Sequence, residues 1–119
     1  MPVEQTFGAV LRARRREAGL TQRELAERAG LDFTYISKLE NDRVPPPAAD
    51  TVVLLCVVLG VRPEELLALT GKIPSDVQEL VSSSPAAQEF LRAASLRGLS
   101  DDEWRRLSRL LPRPSGEVG

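Results

Sequence analysis

The fold is decided by the stretch Gln22-Arg23-Glu24-Leu25-Ala26-Glu27-Arg28-Ala29-Gly30-Leu31-Asp32-Phe33-Thr34-Tyr35-Ile36-Ser37-Lys38-Leu39-Glu40-Asn41. Thr21 precedes it and Glu24 follows three residues later, which is the pattern of a capping box at the start of a helix. Gly30 predicts a turn, because glycine adopts a left-handed backbone at little cost. Asp32 is a good cap for a second helix. The stretch therefore predicts two short helices joined by a tight turn.

Each of these two helices has one apolar side. Leu25, Ala26 and Ala29 recur at helical spacing on the first, and Ile36 and Leu39 of the second point back into the same core. The other side of the second helix is mostly polar. It carries Phe33, Ser37 and Asn41 at helical spacing, with Thr34 and Lys38 beside them.

This arrangement resembles the helix-turn-helix of the XRE family, the phage-repressor and Cro-like DNA-binding proteins. The resemblance rests on Gly19-Leu20-Thr21-Gln22-Arg23-Glu24-Leu25-Ala26 and on Ile36-Ser37-Lys38-Leu39-Glu40-Asn41, and it covers residues 4 to 70. It implies a five-helix phage-repressor-like domain, and the capping patterns and apolar periodicity of the residues after it predict two or three further short helices, so that the predicted fold class is all-α. The second helix of such a unit enters the major groove and reads base edges. The alternative is an ordinary helical hairpin whose polar face meets only solvent.

The resemblance also assigns base-reading roles on the second helix. The base-edge candidates are Thr34, Ser37 and Lys38, since lysine can donate to guanine and threonine can offer a hydroxyl or a methyl group. Phe33 either contacts a thymine methyl or belongs to the core. Tyr35 either reaches a phosphate or packs against the protein.

The remaining implied contacts are with the DNA backbone or within the protein. Gln22 is similar to the family residue that contacts the backbone and braces the recognition helix. The phosphate candidates, which position the protein without reading sequence, are Arg23, Asn41 and Arg43. Arg15 occupies the family position that pairs with the acid at the end of the recognition helix, here Glu40. We expect this ion pair to be partly buried and costly to break from one side.

Composition excludes several classes of protein. The 119 residues carry a net charge of −1, so a DNA-binding role depends on where the cations lie. With no histidine and only Cys56, we expect no metal site, no cofactor and no enzymatic activity. We expect Cys56 to lie in the core. No membrane span or signal peptide is predicted, and a cytoplasmic location fits best.

Further helices are predicted on both sides of the central stretch. The first should run from about Val3 to Ala18, and the fourth from about Ala48 to Leu59. The segment Val44-Pro45-Pro46-Pro47 predicts a stiff connection that is not helical. A fifth helix should open at Pro63. In the tail, Ser75 to Gln78 and Ser100 to Glu103 have the pattern of further capping boxes.

The fourth helix is apolar on nearly all sides, which is normal only for a helix covered on both faces. The tail has amphipathic helices that are too short to be stable alone. We therefore predict an interface, within one chain or across a dimer, between an outer face of the fourth helix and the tail. Its predicted residues are Val53, Leu54, Val57, Val58, Phe90, Leu91, Trp104, Leu107 and Leu111.

These observations predict a DNA-binding domain over residues 1–71, a helical extension for dimerisation or regulation over 72–112, and a frayed tail over 113–119. The predicted function is a sequence-specific transcriptional regulator of double-stranded DNA, a homodimeric repressor that reads an inverted-repeat operator. The alternative is a protein-binding module whose C-terminal helices engage a partner toxin or a regulatory protease, with DNA binding used for autoregulation.

Overall fold

Eight helices make up the part of the chain, residues 5–112, that the computed structural model describes, and this part contains no strand. They are α1 (Phe7–Glu17), α2 (Gln22–Ala29), α3 (Phe33–Glu40), α4 (Ala49–Leu59), α5 (Pro63–Leu67), α6 (Ser75–Ser82), α7 (Pro85–Arg97) and α8 (Asp101–Ser108). The predicted all-α fold is confirmed. None of the described helices is both long enough and apolar enough to cross a membrane.

The chain divides into two compact units between Gln78 and Glu79. The first unit includes residues beyond α5, because they are tied back to α4 and the loop before it. Lys72 Nζ donates to the carbonyls of Pro46 and Pro47 at 2.9 and 3.0 Å. The predicted tail, residues 113–119, lies outside the described residues.

The core of the first unit draws on all of its first five helices. The side chains that are essentially inaccessible to solvent are Leu11, Leu25, Ile36, Leu39, Val52, Leu55, Cys56 and Leu66. Ala26 and Ala29 are buried with them, so the predicted apolar sides of α2 and α3 are confirmed. Burial, with a smaller contribution from the charges of Glu65 and Glu64, raises the pKa of the Cys56 thiol to about 11. The thiol is therefore neutral and shielded from solvent, as expected for a core residue.

The predicted turn signals of α2 and α3 are confirmed by their hydrogen bonds. Thr21 Oγ1 accepts from the Glu24 backbone N–H, and Glu24 Oε1 accepts from the Thr21 N–H, both at 3.0 Å. Gly30 has φ +67°, the left-handed conformation that favours glycine. Asp32 Oδ1 accepts from the Thr34 N–H at 3.3 Å. Local rules alone place these two helices correctly.

One predicted helix start and one predicted helix cap are wrong. α1 begins at Phe7 rather than near Val3, because Thr6 caps it by accepting from the Ala9 N–H at 3.1 Å; Val3 itself lies outside the described residues. Ser75 does not cap α6, because its N–H and hydroxyl both donate to the Asp50 carboxylate, at 3.0 and 2.7 Å. A carboxylate 25 residues away has replaced the local capping box.

A tight junction joins the end of α3 to the start of α1. Asp42 adopts φ +55°, and its carboxylate accepts from the Gly8 N–H at 2.9 Å and from the Thr6 hydroxyl at 2.6 Å. A side chain at Gly8 would collide with the carbonyl oxygens of Leu39 and Glu40 and with Asp42. The backbones of α1 and α3 can approach this closely only because residue 8 has no Cβ.

A buried carboxylate links α1, α2 and α3. Glu40 Oε2 accepts from Arg15 Nε at 2.6 Å, and Oε1 accepts from Arg15 Nη2 at 2.9 Å and from Gln22 Nε2 at 3.0 Å. Arg15 Nη1 also donates to the Leu20 carbonyl at 2.8 Å. Arg15 is 8% exposed and Glu40 is 4% exposed, so the expected ion pair is present and well buried.

The electrostatics of Glu40 follow from its partners. Burial by itself raises the pKa of this carboxyl, but the hydrogen bonds from Arg15 and Gln22 and the charge of Arg15 bring it below its ordinary value. The carboxylate is therefore the stable form in the fold, and its two strong partners satisfy both oxygens.

The second unit contains α7 and α8. Ser84 and Ser100 cap these helices, and Ser100 forms a full capping box with Glu103, as predicted. Phe90 and Trp104 meet edge to face with their ring centres 6.4 Å apart. Of the apolar side chains in this unit, Ala94 is buried, whereas Phe90, Leu91, Trp104 and Leu111 are exposed.

We expect Gly8→Ala to destabilise the chain by about 1–3 kcal/mol, because the methyl group meets two backbone carbonyls that cannot rotate away. Urea unfolding measures the loss. Ala13→Gly, an exposed change in the same helix, should lose about 0.5–1 kcal/mol through helix propensity alone. A Gly8→Ala variant more stable than the native chain would contradict the close approach.

We expect Glu40→Gln to lower the free energy of unfolding by about 3–5 kcal/mol at neutral pH, because Arg15 remains buried without its counter-charge. Since the folded pKa of Glu40 lies below its ordinary value of 4.5, its contribution is fully present above that pH and is lost as the pH falls through the folded pKa.

Urea titrations between neutral and strongly acid pH should therefore show the native and Glu40→Gln chains converging in acid. The exposed change Glu27→Gln on α2 is the control, and should stay within about 0.5 kcal/mol of the native chain. A difference between native and Glu40→Gln that is independent of pH would show that the charge of Glu40 does not stabilise the fold.

Candidate nucleic-acid interface

The predicted base-edge residues share one face of α3. Thr34 and Lys38 are exposed and Ser37 is half-buried, whereas the opposite face of the helix is buried through Ile36 and Leu39. The spacing of Thr34 and Lys38 is one helical turn, so both side chains project from the same strip of surface. This strip is free to meet a ligand.

Phe33 and Tyr35 take intermediate positions. Both are half-buried and pack against the core, and Phe33 also lies beneath the Arg23 guanidinium, whose Cζ is 4.3 Å from the ring centre. For both residues the sequence left open either a DNA contact or packing against the protein, and the structure shows the packing. Contact of either residue with DNA stays a prediction.

Gln22 braces α3 through its hydrogen bond to Glu40. This is the structural half of the role that the family resemblance implies for it. The half-buried side chain lies at the start of α2, where backbone N–H groups point away from the helix and favour anions. Contact of Gln22 with a DNA phosphate stays a prediction.

Asn41 is held from two sides. Its Nδ2 donates to the Ser37 carbonyl at 2.8 Å, and its Oδ1 accepts from Arg12 Nη2 at 3.3 Å. Arg12 Nε lies 3.5 Å from Glu40 Oε1 and is buried without a hydrogen-bond partner among the described residues. Sequence reasoning missed Arg12, although it lies three residues before Arg15 and so on the same side of α1.

Cations near α3 fall into two groups. Arg12, Arg14 and Arg15 on α1 pair with glutamates, and Arg14 lies 2.9 Å from Glu17 and 3.2 Å from Glu65. By contrast, Arg23, Lys38 and Arg43 are exposed and form no ion pair within residues 5–112. Three cations without an ion pair within residues 5–112 therefore lie on or next to the helix-turn-helix, where phosphate contacts would require them.

No cluster of three or more histidine, cysteine, aspartate or glutamate residues is arranged to hold a metal ion in the described part of the chain. The polar side chains that converge here belong to the ion-pair and hydrogen-bond network around Glu40. This surface combines an exposed polar helix face with unpaired cations, which are elements of a nucleic-acid interface.

Comparison with known proteins gives the family of the chain. A family model described as a helix-turn-helix domain matches residues 6–69. The uncharacterized HTH-type transcriptional regulator RghRB of Bacillus subtilis (strain 168) is 32% identical over 112 residues, which cover 87% of this chain and 81% of that protein.

Solved structures give the same answer. The crystal structure of the biofilm master regulator SinR in complex with DNA is 31% identical, with a TM-score of 0.50 over 52% of this chain and 98% of that chain. The SinR–SinI complex, at 24% identity and a TM-score of 0.51, covers 87% of this chain and 92% of that chain and shows the shared fold alone. The chain therefore belongs to the helix-turn-helix family of DNA-binding transcriptional regulators, of the XRE (phage-repressor and Cro-like) type, a family of regulators rather than of enzymes.

Proposed function

We propose that the chain is a sequence-specific repressor that binds an inverted-repeat operator as a homodimer in the cytoplasm. The observation that carries this proposal is the polar face of α3, which is exposed while the rest of the helix is locked to α1 and α2 by Glu40. A rigid helix can present side chains to base edges with the accuracy that discrimination requires. The relative SinR, which was crystallised with DNA, supports the same use of the fold.

In this proposal Thr34, Ser37 and Lys38 read base edges. Arg23 and Arg43 bind phosphates, because both are exposed cations without a carboxylate partner among the described residues. The Asn41 amide already donates to the Ser37 carbonyl and accepts from Arg12. It can therefore bind the DNA backbone only with the part of the amide that these two hydrogen bonds leave free. The loop Pro45-Pro46-Pro47 offers no N–H donors, so side chains must supply the contacts there.

The proposed dimer is supported by apolar side chains left in contact with solvent. On α4, Leu54 is 43% and Val57 is 69% exposed, whereas Val53 and Val58 are half-buried against the core. In the second unit, the exposed members of the predicted interface are Phe90, Leu91, Trp104 and Leu111, and Leu107 is half-buried. Exposed apolar surface of this kind marks interfaces, and a two-fold dimer matches a two-fold operator.

A second candidate function rests on the same exposed side chains. A partner toxin or a regulatory protease could bind the second unit in place of another copy of this chain, and DNA binding would then serve autoregulation. The exposed aromatic pair of Phe90 and Trp104 favours a protein ligand, since aromatic side chains are enriched in such interfaces. A purified chain that is monomeric alone and on its operator would favour this second function over the dimeric repressor.

Selection of bound duplexes from a random DNA library tests the proposed function. We expect enrichment of an inverted repeat whose half-sites lie about one helical turn, roughly 34 Å, apart, because one recognition helix covers too few base pairs to be selective. Mobility shifts should then give two chains per operator. Binding that is equally weak on every duplex would contradict a sequence-specific regulator.

Two substitutions should separate base reading from phosphate binding. Lys38→Ala should cost about 1–3 kcal/mol on the operator and relax preference at particular base pairs. Arg43→Ala should weaken operator and random duplexes alike and reduce the salt dependence of binding by about one phosphate contact. Equal losses on both duplexes for Lys38→Ala would assign Lys38 to phosphate binding instead.

The paired change Leu54→Gln and Val57→Gln tests the predicted interface on α4. Because both side chains are exposed, we expect the fold to survive and the dimer dissociation constant to rise at least about tenfold, for two lost apolar contacts. Sedimentation equilibrium measures the constant, with the exposed change Glu27→Gln as control. An unchanged dimer would exclude this face of α4 from the interface.

A further inference from the structure

Arg23 differs from the other unpaired cations near α3 in the way its guanidinium is held. Its Cζ lies 4.3 Å from the centre of the Phe33 ring, within the range of a cation–π interaction. It also has no carboxylate partner within residues 5–112. The side chain is thus oriented by an aromatic ring, and its N–H donors meet no competing carboxylate there.

The ring that orients Arg23 is itself fixed. Phe33 is the first residue of α3, its backbone follows the Asp32 cap, and its side chain packs against the core. Arg23 is the second residue of α2, so the pair bridges the starts of the two helices of the motif. The Phe33–Arg23 pair therefore connects the core to the surface beside the starts of both helices of the motif.

We infer that Phe33 is a positioning residue, which holds the Arg23 guanidinium for a DNA phosphate and does not itself read a base. The inference rests on the proposed DNA-binding function. A guanidinium above a ring keeps its edge N–H groups free, and two of these can donate in parallel to phosphate oxygens. Because the ring already restricts the arginine, less rotamer freedom is lost when the phosphate binds.

This assignment differs from a direct contact between Phe33 and a thymine methyl. A direct contact would make the effect of Phe33 depend on the base sequence and not on Arg23. A positioning role makes its effect depend on Arg23 and not on the base sequence. The two roles therefore separate in a double-mutant cycle measured on two DNA duplexes.

The experiment uses the full chain, the selected operator duplex and a random duplex of the same length. The variants are Phe33→Leu, which keeps apolar bulk without the ring, Phe33→Tyr, which keeps the ring, Arg23→Gln, and the double variant Phe33→Leu with Arg23→Gln. Thermal unfolding of each variant checks the fold. Phe33→Met, which also packs without a ring, replaces Phe33→Leu if leucine unfolds the chain.

We expect Phe33→Leu to weaken binding to both duplexes about two- to fivefold, the range of an exposed cation–π interaction, and Phe33→Tyr to bind like the native chain. Arg23→Gln should reduce the slope of log affinity against log salt by about 0.9, the value for one phosphate. In the Arg23→Gln background, Phe33→Leu should have no further effect.

The inference is overturned if Phe33→Leu costs the same with and without Arg23, or if its loss is confined to the operator. A native chain that binds both duplexes equally would refute sequence specificity in the proposed function, while the cycle on the random duplex would still support or overturn the role of Phe33. A native chain that binds neither duplex would overturn both proposals.

Discussion

The carboxylate of Glu40 determines where the recognition helix lies. It is the last residue of α3, and it receives Arg15 from α1 and Gln22 from α2. A buried carboxylate without these donors would carry a large desolvation cost, so the three helices hold one another in a single arrangement. Together with the buried Ile36 and Leu39, this side chain fixes the orientation of the polar face of α3, although it has no part in that face itself.

Some charged side chains of the first unit stabilise the fold, and others remain free to bind a ligand. Arg12, Arg14 and Arg15 form ion pairs with glutamates, and the Asp42 carboxylate accepts hydrogen bonds from Thr6 and Gly8. Arg23 and Lys38 are left without carboxylate partners in the described residues. A net charge of −1 conceals this division, because affinity for a polyanion depends on local cations rather than on their sum.

Local rules made most of the fold predictable from the sequence. Thr21, Asp32 and Ser100 act as the caps their patterns indicate, since a capping residue and its target lie within four residues of each other. Ser75 satisfied the same pattern but binds Asp50, and the approach of Gly8 to α3 depends on residues more than 30 positions away. Neither contact can be predicted from neighbouring residues, because its partners are far apart in the sequence. Of the candidate site, the exposed face of α3 was predictable from periodicity. The orientation of Arg23 by Phe33 was not, because the two residues lie on different helices and their contact depends on how those helices pack.

The reactivity of Cys56 can report the local opening of α4. Its sulfur is inaccessible to solvent in the middle of α4, and its pKa of about 11 leaves almost no thiolate at neutral pH. Any reagent specific for thiols can reach it only after α4 separates from the core, so the modification rate measures the local opening equilibrium. A binding partner that engages only the folded chain should slow that rate as its occupancy rises. The rate of Cys56 modification can therefore report ligand binding without an engineered probe.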